Sequence, residues 1–222
     1  SIKGATMYLG YNENLVKFNE IIMDEPIKIA DTPIKKSLNN LGRVNDLTAL
    51  AKSSNVYMFH IAMRLGGANY VYNGPLNIDS NAFNTIRNTF SQFGLGTLTG
   101  IDVPNETIGY IGSSTLGGHL LDFVIGQFDT YTTMQLSQYI NTIANDGVRV
   151  KPRLLIDSTE TDSNITTYTN PVQVLSVLEN IPAIQRVQAG FRECVTNGYC
   201  VALNNLSVSV AAKTGTAESY MT

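Results

Sequence analysis

The stretch that decides the fold is "AAKTGTAES", residues 211–219. Its Lys213-Thr214-Gly215-Thr216 run is too polar for core filler and too weakly charged for a solvated tail. With the preceding "LSVSV" (206–210) it alternates small and apolar residues as a strand does. On a strand alternate side chains share a face, so Thr214 and Thr216 are expected to point together, with Lys213 and Gly215 opposite.

Two further runs join it when the chain is read outward. Lys3 opens the helix-compatible stretch "IKGATMYLGY", and "SSN" at 53–55 interrupts the apolar face of "LTALAKSSNVYMFHIAMRLGG". Each is weak alone: a Lys-Thr-Gly triplet arises by chance, and serine and asparagine are the usual helix caps. On a helix, residues three apart lie side by side, so a hydroxyl three positions before Lys3 would meet its amine. Ser1 stands two before Lys3 and projects to a different side; the expected serine falls one position ahead of Ser1.

The rest of the chain predicts many helices and few strands. A helix starts with Asp46 as its N-cap and stops at Gly66-Gly67; others cover "NAFNTIRNTFSQFGLG", "TYTTMQLSQYINTIANDG" and roughly Ile184 to Glu193. In the third of these, Met134, Leu136, Tyr139, Ile140 and Ile143 form a broad apolar face. Residues 25–41 read as an extended surface loop, "VRVKPRLL" as a short strand, and the hydroxyl-rich 157–170 as an exposed ribbon or loop.

Composition excludes several functions. With 222 residues, 43% apolar and 15% charged, the chain can bury a sizeable core. Its net charge of -3, with Lys and Arg scattered, gives no basic stripe for nucleic acid. No apolar run approaches the roughly 20 residues that cross a bilayer. Gly94, Gly96 and Gly100 lack the strand–helix context of a dinucleotide loop, and His60 and His119 read as structural or surface residues. Cys194 and Cys200 flank an Asn-Gly turn signal, a spacing open to a small disulfide loop or to two free thiols; with both His distant, zinc is disfavoured.

Taken in order, "IKGATM", "LAKSSNVYMF", "FGLGTLTGIDVPNE", "IGQFDTYTTMQLSQYINTIANDGVRVKP" and "AAKTGTAES" resemble segments of class B penicillin-binding proteins, the monofunctional D,D-transpeptidases that cross-link peptidoglycan. The resemblance covers essentially the whole chain. One departure is Thr133, where the family usually has proline; another is the cysteine loop, which has no known family role.

The resemblance implies an α/β fold of the penicillin-binding and serine β-lactamase type. This helix-rich segment would contribute the Lys-Thr-Gly strand to a central antiparallel sheet flanked by helices. Residues 1–222 would be part of a transpeptidase domain whose remaining strands lie outside them. It also implies roles. Lys3 is the base for the serine, Ser53 relays a proton between Lys3 and the leaving amine, and Asn55 holds Lys3 and the substrate peptide. Thr214 and Thr216 bind the substrate carboxylate, the Thr216 amide is an oxyanion donor, Lys213 adds positive potential near Ser53, and Gly215 permits close approach. The implied partners are peptidoglycan stem peptides, β-lactam antibiotics and a glycosyltransferase. No cofactor or metal is implied. The implied location is the extracytoplasmic face of the bacterial plasma membrane, through an N-terminal anchor outside these residues. A serine β-lactamase or β-lactam sensor shares the three motifs but would need a deacylating base, and no glutamate stands in a Glu-x-x-Leu-Asn context. A non-catalytic envelope binding module could keep the same fold.

Overall fold

The computed structural model describes residues 2–162 and 165–216. Ser1 and residues 217–219 of the opening stretch lie outside the described residues.

At the centre is helix α1 (Lys3–Asn12), in which every residue from Lys3 to Tyr11 is buried. A helix covered on all sides is a core helix, which suits its apolar and small composition. It packs against α2 (Asp46–Ala51), α3 (Asn55–Leu65), α4 (Asn81–Gln92), α5 (Gly117–Ile125) and α7 (Ile181–Asn197). Gly4 makes the close approach possible: a Cβ there would lie 2.5 Å from the Tyr139 hydroxyl and 2.7 Å from Phe191 Cζ. The Gly4 amide instead donates to that hydroxyl at 3.1 Å. Met7, Leu9, Leu50, Phe59, Ile61, Phe90, Phe93 and Phe123 complete the core around α1. Burying each such side chain contributes about 1.5–3 kcal/mol.

The run expected as one helix from Asp46 to Leu65 is two, and Asp46 is not its cap. Asn45 caps α2 by accepting from the Thr48 amide at 2.9 Å. Asp46, fully buried, accepts from Arg186 Nε at 2.7 Å, the Tyr11 hydroxyl at 2.7 Å and the Asn19 amide at 3.1 Å. It thereby ties α2 to α1 and α7. Between α2 and α3 the chain turns at Ser53, whose φ of 55° lies in the left-handed region. Ser54 caps α3 by accepting from the Tyr57 amide at 2.9 Å.

Before this pair, β1 (Ile22–Asp24) and β2 (Gly42–Val44) form an antiparallel ribbon in which Asp24 faces Gly42. The loop they enclose is less exposed than its composition predicts, since Ile27 and Ile29 are buried and Ile27 bridges to Lys35.

Helix α5, "GGHLLDFVI", has no counterpart among the sequence-based elements; two leading glycines hide a run whose Leu120, Leu121, Phe123 and Val124 are core. Helix α6 (Thr133–Ala144) begins with a capping box between Thr132 and Gln135. Thr133 takes the first helical position, where proline would cost no intrahelical hydrogen bond, so its departure from the family pattern leaves the helix start intact. Its buried face differs from the expected one: Ile140 is exposed, whereas Gln135 and Gln138 are buried. Their amides donate to the carbonyls of Thr97, Ile108 and Thr99, which fastens the long 97–112 loop, and to that of Val150.

Two more ribbons follow. β3 (Val148–Val150) pairs with β6 (Val174–Val177), and β4 (Asp157–Thr159) with β5 (Thr166–Thr169), the latter fully exposed.

Helix α7 starts earlier than expected, with Asn180 as its cap and Pro182 in its first turn, and ends later, at Asn197 before Gly198. A Cys194–Cys200 disulfide, a 3₁₀ turn at Val201–Asn205 and two hydrogen bonds back to α7 then guide the chain. Those bonds run from the Ala212 amide to Phe191 O at 3.0 Å and from Arg192 Nη1 to Val210 O at 2.6 Å. The strand expected over 206–219 is corrected here over its described part: residues 206–216 enter no β-ladder among the described residues. A strand is stabilised by its hydrogen-bonded neighbours, so alternation alone does not form one.

Candidate active site

Three sequence elements separated by most of the chain meet at the first residue of α1. Lys3, 5% exposed, directs its ammonium into the α2–α3 turn. Nζ lies 2.7 Å from the Ser53 carbonyl, 3.0 Å from Ser53 Oγ and 2.6 Å from Asn55 Oδ1. The left-handed backbone at Ser53 presents both its carbonyl and its hydroxyl to the same amine. Capping α3 falls to Ser54, so Ser53 and Asn55 serve Lys3 instead. The Asn55 amide is oriented by its own Nδ2, which donates to Lys36 O at 2.9 Å.

Burial is the largest cause that brings the Lys3 pKa down to about 7; positive Lys213 lowers it further, and Asp24 opposes the change. A lysine so placed is partly neutral near pH 7, able to take up a proton as well as to supply one. In the neutral form its lone pair can accept from the Ser53 hydroxyl, which makes a two-way proton path of the 3.0 Å contact. Lys213 is likewise lowered, to about 8, by burial. Its Nζ donates to Thr214 O at 3.1 Å and Thr214 Oγ1 at 3.2 Å. Thr214 is half-buried, while Gly215 and Thr216 are exposed beside it.

The structure thus brings Lys3, Ser53 and Asn55 into direct contact and sets Lys213 within electrostatic reach of Lys3. Thr214, Gly215 and Thr216 accompany Lys213 in the chain. Cys194 and Cys200 stand apart, packed with Val195, Leu203, Val210 and Ala212. His60 is half-buried, and the His119 ring stacks on Phe128 with Nδ1 2.6 Å from Ser114 Oγ, so neither joins the cluster. Sequence reasoning missed Asp24, Ser37 and Ser54, which lie behind the Ser53–Asn55 turn. Ser54 was visible as the middle residue of "SSN"; Asp24 and Ser37 carry no local signal, because their partners are distant in sequence.

At the end of a core helix, then, a buried lysine near neutrality meets a hydroxyl and an amide within hydrogen-bond reach, with a second lysine nearby, a set of groups suited to proton transfer at a hydroxyl nucleophile. The chain belongs to the penicillin-binding protein transpeptidase family: the family model "Penicillin binding protein transpeptidase domain" matches residues 1–222. Penicillin-binding protein 2A of Bacillus subtilis (strain 168) is 45% identical over 227 residues, 99% of this chain and 32% of that protein. Penicillin-binding protein 2B of Streptococcus pneumoniae serotype 2 (strain D39 / NCTC 7466) is 33% identical over 238 residues, 99% of this chain and 35% of that protein. The chain therefore spans about a third of the length of these relatives. Among solved structures, penicillin-binding protein 2B of Streptococcus pneumoniae (strain 5204) superposes with a TM-score of 0.87 at 27% identity, covering 97% of this chain and 38% of that one. A chain from a peptidoglycan synthase complex shares the fold, with a TM-score of 0.74 at 20% identity over 98% of this chain and 36% of that one. The penicillin-binding fold expected from the motifs is the one found.

Proposed function

We propose that the protein containing this chain is a D,D-transpeptidase that cross-links peptidoglycan stem peptides through a serine acyl-enzyme and is acylated by β-lactams. The observation that carries this reading is the buried Lys3 amine, held between the Ser53 hydroxyl and the Asn55 amide and brought close to neutrality. The proposed nucleophile is a serine three positions before Lys3, one ahead of Ser1, where one helical turn would place its hydroxyl beside Nζ.

The neutral Lys3 amine takes the hydroxyl proton as the serine oxygen attacks the D-Ala-D-Ala carbonyl. Ser53 passes a proton to the departing D-alanine nitrogen as the C–N bond breaks. An acceptor amine then attacks the ester, its proton returns along the same path, and the serine is regenerated. Asn55 holds the Lys3 amine and the substrate amide in register. Lys213 places positive charge near the reaction, Thr214 and Thr216 bind the substrate carboxylate with Gly215 allowing its close approach, and the Thr216 amide receives the developing oxyanion.

Residues 1–222 belong to one transpeptidase domain, with the flanking strands of the central sheet supplied from outside them. The working location is the extracytoplasmic face of the plasma membrane, with the anchor outside these residues. The Cys194–Cys200 disulfide supports it, since such bonds persist in oxidising compartments. A glycosyltransferase is the proposed protein partner, supported by the occurrence of this fold in a peptidoglycan synthase complex.

The test is incubation of the full-length protein with a fluorescent penicillin. A covalent adduct that persists supports the transpeptidase. Rapid release would indicate a β-lactamase and no adduct a binding module, and either would overturn the proposal.

A further inference from the structure

Behind the Lys3 contacts lies a buried carboxylate to which the reaction gives no role. Asp24, the last residue of β1, is 3% exposed, and its Oδ2 accepts from two hydroxyls, that of Ser37 at 2.7 Å and that of Ser54. Both serines are themselves buried and spend their remaining capacity on the start of α3. Ser37 Oγ accepts from the Asn55 amide at 2.8 Å and the Val56 amide at 3.3 Å, and Ser54 Oγ accepts from the Tyr57 amide at 2.9 Å. Three of the four amides that a helix leaves unpaired at its start are thus satisfied by two serines whose hydroxyls donate hydrogen bonds to one anion. A negative charge behind a helix N-terminus is favourably placed.

This anchor is continuous with the reacting groups. Ser53 is next to Ser54 and holds a left-handed φ of 55°, a conformation that surrounding contacts must maintain. Asn55 is pinned through its backbone by Ser37 and through its side chain by the adjacent Lys36 carbonyl. With both ends of Asn55 fixed from the 36–37 segment, Oδ1 is left facing Lys3.

We infer that Asp24 is a positioning residue: through Ser37 and Ser54 it fixes the Ser53–Asn55 turn in the conformation that meets Lys3. It touches no reacting atom, and it links the β1 ribbon, the 36–37 segment and the α2–α3 turn into one support. This rests on the proposed acyl transfer, and it adds an electrostatic consequence. Among the described residues, the charged groups that act on Lys3 include Lys213, from the 206–216 segment, and Asp24, from β1; α1 itself has no acid in its first turn. The Asp24 charge raises the Lys3 pKa, so its removal should lower it.

The experiment compares Asp24→Ala, Asp24→Asn and Ser37→Ala in the full-length protein. It measures the penicillin acylation rate against pH, the melting temperature, and the Lys3 titration by NMR of ¹³C-labelled lysine. For Asp24→Ala the expected result is at least a tenfold loss of plateau acylation rate in protein that still melts cooperatively. Asp24→Asn, which keeps an acceptor for the two hydroxyls, should recover part of that rate while the acidic limb and the Lys3 titration move to lower pH. Ser37→Ala should lose rate with the limb in place; it carries the test if Asp24→Ala fails to fold. Wild-type rates in Asp24→Ala and Ser37→Ala, or losses that only track the folded fraction with the Lys3 titration unmoved in Asp24→Asn, would overturn the inference. A wild-type protein that forms no adduct would instead defeat the acyl-transfer reading. The amide NMR shifts of Ser53 and Asn55 in Asp24→Ala and Ser37→Ala would then decide the inference, a displaced turn in folded protein supporting it and wild-type shifts overturning it.

Discussion

Lys3 Nζ and Ser53 Oγ lie 3.0 Å apart although fifty residues separate them in the chain. The same amine reaches the Ser53 carbonyl at 2.7 Å, so the contact is held from two sides. Such a fixed pair lets a proton move without reorganising the site, and it ties the catalytic proposal to a measurable geometry.

Replacing Asn55 or Ser53 by alanine removes a site group and leaves core area untouched. Each variant, made in the full-length protein, should lose β-lactam acylation by about 10²- to 10³-fold, the usual effect of deleting one pre-positioned site contact. Stopped-flow acylation, with circular dichroism to confirm the fold, is the check. Unchanged rates in both variants would remove these residues from the mechanism.

The pH dependence follows from the sign of the Lys3 shift. The base form is the neutral amine and the pKa is about 7, so acylation should rise with pH through that region. Lys213 lowers the Lys3 pKa by like-charge repulsion, so Lys213→Ala should raise it. The acidic limb of that variant should therefore move to higher pH, with a lower plateau. A limb that stays in place or moves down would show that the two lysines are not coupled.

The Cys194–Cys200 disulfide closes a short loop that returns the chain toward Lys213. By loop-closure entropy a bridge of this size contributes about 2 kcal/mol. The double variant Cys194→Ser/Cys200→Ser should lose about that much in urea unfolding, and reduction of the wild type should reproduce the loss. Equal midpoints for oxidised and reduced wild type would contradict this.

Gly190 sits where α7 packs tightly on α2: a Cβ there would meet Leu50 Cδ1 at 2.5 Å and Leu50 Cβ at 2.9 Å. Overpacking of this kind costs about 1–3 kcal/mol. Gly190→Ala should lower the melting temperature of the full-length protein, and an unchanged temperature would show that the α2–α7 contact yields freely.

The parts of this protein legible in the sequence were those set by local chemistry. The core face of α3 and the amphipathic run of α6 announce themselves through periodicity, and the three motifs point to Lys3, Ser53, Asn55 and Lys213. Interactions between distant segments were illegible. Asp46 resembled a cap because aspartate favours that position, yet its carboxylate is claimed by Arg186 and Tyr11 from other elements. Helix α5 was hidden by its opening glycines, and Ile140 was counted as core although Gln135 and Gln138, holding a loop, take the inner face. Alternation in 206–216 did not make a strand, since pairing is supplied by neighbours. Asp24 is the extreme case, a surface-like acid in "MDEP" that only the fold turns into a buried acceptor.

Whether Lys3 is the base of an acyl-transfer site is decided by the acylation rate of Lys3→Met in the full-length protein. Methionine fills similar space without an amine, so the fold should survive and a melting curve can confirm it. Fluorescent penicillin should then form adduct at less than about a hundredth of the wild-type rate at every pH, consistent with loss of a general base. A folded Lys3→Met protein that acylates at the wild-type rate, with its rise near pH 7 intact, would contradict that role for Lys3.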